Sequence, residues 1–313
     1  MASRDMVMGI FFLFQTVLGV LGNSALLCCF IISDFTGIKA KPTDLIVKHL
    51  TCSSIMVLLC KGIPQTMSAF GQTYFLDDFT CKLVFYFHRV ARGVSLGSTS
   101  LLSVFQFITI SPGNSKWAQL KVRIPRIVCS SLGVCWSLQL LVYAFIPIYT
   151  NDIRSLRNVT GVKEFEYCAV VNPGRVINIL NGMLLTFNDV MFLGLMMWAS
   201  GSMVFILIKH KQRVNHIHRS LSPRSSLETR ATQSILTLVS TFVVFYVTSV
   251  VLTFYLSVID VTFRWLSNAN LAMSACFPAF SPFVLLRHYI SVFRLCCVCS
   301  YQTTHCACVV REL

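Results

Sequence analysis

The chain is 313 residues long, 55% of them apolar and only 12% charged, with a mean hydropathy of +0.70. A soluble domain carries roughly 25% charged residues, so a soluble enzyme or a nucleic-acid-binding module is excluded for want of polar surface, and an all-α bundle embedded in lipid is expected. The 26 Lys and Arg against 12 Asp and Glu give a formal charge of +14, and where those cations sit decides what they meet.

A spanning helix needs about 20 mostly apolar residues, and seven such runs follow one another. The first, Val7 to Ile32, is longer than a signal-peptide core and lacks a small-residue cleavage site after it, so it is expected to be retained as a span. The others run from about Thr43 to Ala69, Cys81 to Ile110, Ile124 to Tyr149, Val176 to Ile208, Thr229 to Ile259 and Trp265 to Leu286. Spans two and three are the least apolar, because Lys48, Lys61, His88, Arg89 and Arg92 interrupt them. The expected organisation is a short extracellular N-terminus (residues 1–6), a seven-helix bundle (7–286) and a cytoplasmic, Cys-rich tail (287–313), with no internal repeat.

Lys and Arg in short loops gather on the cytoplasmic side. The segments after spans one, three and five and the tail hold 15 of the 26 cations, the N-terminus and the other loops hold seven, and four lie within spans. This places the N-terminus outside and the tail inside. The sequon Asn158-Val159-Thr160 falls in the fourth-to-fifth loop, on the outer side by that count, and makes Asn158 the expected glycosylation site. Among 14 cysteines, Cys81 at the mouth of span three and Cys168 in the sequon's loop face the oxidising exterior, where they are expected to pair as a disulfide.

Seven spans, an external N-terminus and this cysteine placement are the architecture of a G-protein-coupled receptor, and Gly22-Asn23 and Trp136 resemble the rhodopsin-like pattern. The signature sites differ. Phe105-Gln106-Phe107 stands where Asp-Arg-Tyr is usual, Ser53-Ser54 where span two carries an Asp, and Ser281-Pro282-Phe283-Val284-Leu285 replaces Asn-Pro-x-x-Tyr; span six lacks a Trp-x-Pro bend. The strings KPTDLIVKHL (Lys41 to Leu50), KGIPQTM (Lys61 to Met67), HRVARGVSLGSTSLLSVFQFITISP (His88 to Pro112) and CFPAFSPFVLL (Cys276 to Leu286) resemble the vomeronasal type-1 pheromone receptor family. The resemblance implies a plasma-membrane receptor of chemosensory neurons that senses small volatile or steroid-like cues and activates a heterotrimeric G protein of inhibitory type.

Ionisable groups inside a bilayer are functional candidates by default. His88, Arg89 and Arg92 share a stripe about 100° wide on span three, with Arg92 about 16 Å below Cys81, Lys61 about 13 Å into span two and Asp189 about 20 Å into span five. One account is a structural pair of Asp189 with Arg92 or Arg89. The other is a ligand site in the outer half of the bundle, where the surplus of cations over Asp189 recognises an acidic group on a small, mostly apolar cue. His88 stands where amine receptors carry an Asp, which disfavours ammonium ligands. Phe85, Phe187, Phe254 and Tyr255 are wall candidates by depth.

On the inner side, the basic loop from Lys209 to Arg230 is expected to meet anionic lipid, and Gln106, Lys209, Lys211, Arg213 and Arg230 are the candidate G-protein-facing residues. Ser222-Pro223 is a candidate phosphorylation site. In the tail, Cys296 and Cys297 are candidates for palmitoylation; the Cys-x-Cys and His-Cys-x-Cys spacing differs from the usual zinc ligand set, and no metal is expected. No phosphate loop, zinc-protease motif or nucleophile elbow is present, so neither catalysis nor a cofactor is expected, and span seven has no Lys for an opsin-type Schiff base. The rival function is an organic-anion transporter or channel built on Lys61, Arg89 and Arg92; the lack of repeats and of paired interrupted helices argues against it.

Overall fold

The computed structural model describes residues 3–35, 41–72, 75–111, 118–151, 162–164, 168–171 and 175–216, together with 237–252 except 238, 242, 249 and 250, and 266–286 except 267 and 271. Six helices within these residues are long and apolar enough to cross a membrane, and Val239–Thr248 supplies a shorter apolar helical stretch where the sixth span is expected.

Span one is a continuous helix, Ser3–Phe35. Span two starts at Pro42, whose missing N–H costs nothing in a first turn, while the Lys41 N–H donates to the Asp44 carboxylate at 2.8 Å. Midway, residues Leu58–Gly62 widen into a π-helical turn before Ile63–Ala69 resumes the α-helix. Pro64 explains the widening: it has no N–H for the Cys60 carbonyl and its ring would crowd it, so the chain inserts one residue instead of breaking. Lys61 lies inside that wide turn. Span three, Asp78–Ile110, begins three residues earlier than hydropathy indicates, because Asp77 and Asp78 favour a helix start. The Thr80 hydroxyl donates to Asp77, which holds that carboxyl below its ordinary range.

Span three packs against spans two, four and five. Small residues allow the approach: a Cβ on Gly93 would collide with the Gln139 side chain, and one on Gly97 with the Cys135 sulfur. The main core joins Leu26, Leu50, Leu96, Leu132 and Met196. Polar side chains tie the bundle across. Asn23 donates to the carbonyls of Gly19 (2.8 Å) and Pro278 (2.9 Å), joining spans one and seven. Trp136 of span four donates to His49 of span two at 3.1 Å.

Two further boundaries and one connection differ from the hydropathy reading. Span four is Ala118–Val142 and is followed, after a turn, by the short helix Ile146–Tyr149 rather than running unbroken to Tyr149. Pro147 has no N–H for the Tyr143 carbonyl, which accepts from Ile146 instead at 3.0 Å. Span five runs Arg175–His216, so Lys209 to His216 continue a helix where a loop is expected. A helix ends where its hydrogen bonds end, and the Lys- and Gln-containing stretch is helix-compatible although polar. The fourth-to-fifth connection, read as plain loop, contains a small antiparallel sheet. Its strands are β1 (Thr150–Asn151), β2 (Val162–Glu164) and β3 (Ala169–Val171), in the order β1-β3-β2. Thr150 pairs with Val170, and Glu164 with Ala169. Cys168, next to β3, forms a disulfide with Cys81 in the first turn of span three, and both are fully buried.

Candidate ligand site

Arg92 is the organising side chain. Its position on span three aims the guanidinium at span six, where it lies 4.9 Å from the centroid of the Tyr246 ring, a cation–π contact. One turn further along, Ser95 is 3% exposed. Together with Val57, Ser274 and Phe277, these residues border a cavity of about 30 Å³. From span two, Lys61 donates to the Ser274 hydroxyl of span seven at 2.5 Å. The π-helical turn that carries Lys61 thereby reaches the far wall of the same cavity.

The rest of the charged set gathers around this centre. Lys61, His88, Arg89 and Arg92 lie within electrostatic range of one another. Asp189 interacts with the Tyr246 hydroxyl and, at longer range, with Arg89. Among the described residues the ion pairs within 4.0 Å are Lys48 with Asp34 and Lys82 with Asp78. The direct Asp189–Arg pair considered from sequence is therefore not formed; Arg92 turns to an aromatic face instead. Against Gly93, the residue after Arg92, Gln139 exchanges two hydrogen bonds (3.2 and 3.3 Å) with Asn188, between spans four and five.

The aromatic wall differs from the one expected. Phe187 is 65% exposed and points away from the bundle, where lipid would cover it, because residue 187 lies on the outward face of span five. Phe85 packs under the Cys81–Cys168 disulfide with Phe75 and Leu76 rather than against Arg92. Phe254 and Tyr255 fall outside the described residues. Sequence reasoning missed Tyr246, Ser95 and Ser274. Depth alone points to Tyr246: by rise per residue it is about 20 Å from the Ile259 end of span six, close to the depth of Arg92, whereas Phe254 and Tyr255 are nearer the mouth.

Of the residues expected to face a G protein, Gln106 is half-buried at the far end of span three and Lys209 is exposed on the extension of span five. Lys211 and Arg213 lie on that same helix. Arg230, the sequon Asn158 and the tail cysteines Cys296 and Cys297 fall outside the described residues.

A profile of the vomeronasal organ pheromone receptor family matches residues 6–298. Vomeronasal type-1 receptor 4 of Pongo pygmaeus is 51% identical over 297 residues, covering 95% of this chain and 98% of that protein. Human vomeronasal type-1 receptor 2 is 47% identical over 288 residues, 92% of this chain and 73% of its own length. More distantly, the olfactory receptor class A-like protein 1 of Danio rerio is 29% identical over 281 residues, 90% of this chain and 88% of that protein.

Proposed function

Because the chain belongs to the vomeronasal organ pheromone receptor family, chemosensory G-protein-coupled receptors of the plasma membrane and not enzymes, we propose that its cue is a small, mostly apolar acid whose anionic group is held by Arg92, Arg89 and Lys61. One observation carries this reading: those three cations have no carboxylate within 4.0 Å among the described residues. A partly buried charge left unpaired is costly, and a carboxylate or sulfate offers Arg a two-pronged partner. His88 adds a further donor on the same stripe.

The cavity is far smaller than the roughly 300–1,000 Å³ of a typical small-molecule site. Binding therefore has to part the walls around Arg92 and Tyr246, and a cue that binds better to the parted arrangement shifts the population toward it. Span six moves against span three in this mechanism. The far ends of spans three and five, with Gln106, Lys209, Lys211 and Arg213, and Arg230 beyond them, receive an inhibitory-type G protein there. The N-terminus and the sheet lie outside, with Asn158 glycosylated, and the tail inside, with Cys296 and Cys297 acylated.

The test is to express the receptor with Arg92→Ala or His88→Ala and record responses to an acidic cue and to its neutral ester. Loss of the acid response with the ester response retained is expected for Arg92→Ala. Equal loss for both ligands signals damage to the fold and overturns the assignment.

A further inference from the structure

We propose that the cavity bordered by Arg92, Ser95 and Ser274 is a binding site for a small inorganic anion of chloride's size, occupied in the receptor before any cue arrives. Three observations converge on it. The first is size. The cavity measures about 30 Å³, and about 10–15 Å³ suffices for one water, so it suits a monatomic anion or a couple of waters and no organic molecule.

The second is an unsatisfied donor. The Ser95 hydroxyl borders the cavity, is buried, and has no hydrogen-bond partner among the described residues. A serine on a helix commonly bonds the carbonyl four residues back; the Ser95 side chain does not, and a buried donor with no partner is destabilising. The third is charge. Arg92 borders the cavity, and Lys61 stands one hydrogen bond behind it on Ser274. Arg92 meets the Tyr246 ring on one side, and neither cation has a carboxylate within ion-pair distance among the described residues. Water would satisfy the serine but leave the positive surplus unbalanced. An anion does both, accepting from Ser95 and from the guanidinium at once. The remaining walls, Val57, Phe245, Met273, Phe277 and Pro278, are apolar and favour a weakly hydrated halide.

This site shares Arg92 and Lys61 with the proposed cue site, where an acidic cue would displace the resident anion, but it does not require the cue to be acidic, and its test uses no cue. The purified full-length receptor is melted in chloride, bromide or gluconate at constant ionic strength. Chloride and bromide should raise the melting temperature saturably over gluconate, which is too large to enter. Ser95→Ala, a small change expected to fold, should raise the half-saturating halide concentration about tenfold, as the loss of a hydrogen bond to a charged group requires. Arg92→Gln should abolish the dependence, and Lys209→Gln, an exposed cation distant from the cavity, should leave it intact. Equal melting in all three salts, or a halide dependence that Ser95→Ala leaves unchanged, overturns the proposal and assigns the cavity to water.

Discussion

The Gln139–Asn188 pair allows the sharpest test of how this bundle is held together. Each side chain gives one N–H and receives another, at 3.2 and 3.3 Å, with Gln139 fully buried and Asn188 nearly so. Asn188→Leu leaves the Gln139 amide with neither partner. A buried unsatisfied polar group costs about 1–3 kcal/mol in soluble proteins, whereas hydrogen bonds between membrane helices average about 0.6 kcal/mol. With two bonds lost, the expected cost is about 1–2 kcal/mol. Gln139→Leu should cost a similar amount. The double variant removes both amides and leaves neither of them orphaned, so it should be at least about 1 kcal/mol more stable than the sum of the two single changes indicates. Tyr143, which also hydrogen bonds Asn188, loses that contact in Asn188→Leu and in the double variant alike. Denaturant titration of the receptor in bicelles reads all three values. Gly93→Ala provides a second route to the same break, since its methyl would occupy the space of the Gln139 amide. Strictly additive costs would refute the reciprocal pair as the source of stability.

Two further predictions concern helix contacts. Asn23→Ala removes the bond from span one to the Pro278 carbonyl and should cost about 1 kcal/mol, seen as a lower melting temperature with cue recognition unchanged. Gly62→Ala places a methyl against the Thr16 side chain and should lower surface expression. Adding Thr16→Ala removes the hydroxyl and methyl it strikes and should restore much of that expression; no rescue would place the fault in the π-helical turn itself.

The seven apolar runs were legible because hydropathy is a sum over neighbours along the chain, and a helix in lipid must satisfy its backbone within itself. That argument locates the lipid-embedded part of a helix and not its ends, so it missed the continuation of span five to His216. It also passed over the break at Pro147, whose residue type was visible but whose effect depends on which carbonyl is left to be satisfied. The three short strands carry too few residues for any periodic pattern and exist only because they pair with one another.

The charged cluster divides in the same way. That Lys61, Arg89, Arg92 and His88 share one region of the bundle follows from spacing and rise per residue, and the family strings around them are local features of the chain. Which side chain each one meets is not local. Arg92 on Tyr246, Lys61 on Ser274, and Phe187 turned away from the bundle depend on the rotation of each helix about its axis. That rotation is set by packing between residues far apart in sequence, such as Gly93 against Gln139. Composition and order along the chain thus decided that this protein is a seven-span receptor with excess positive charge in its membrane region. Only the tertiary structure decided that this charge borders a cavity too small for a cue, because cavity volume is a property of the surfaces that several helices present to one another.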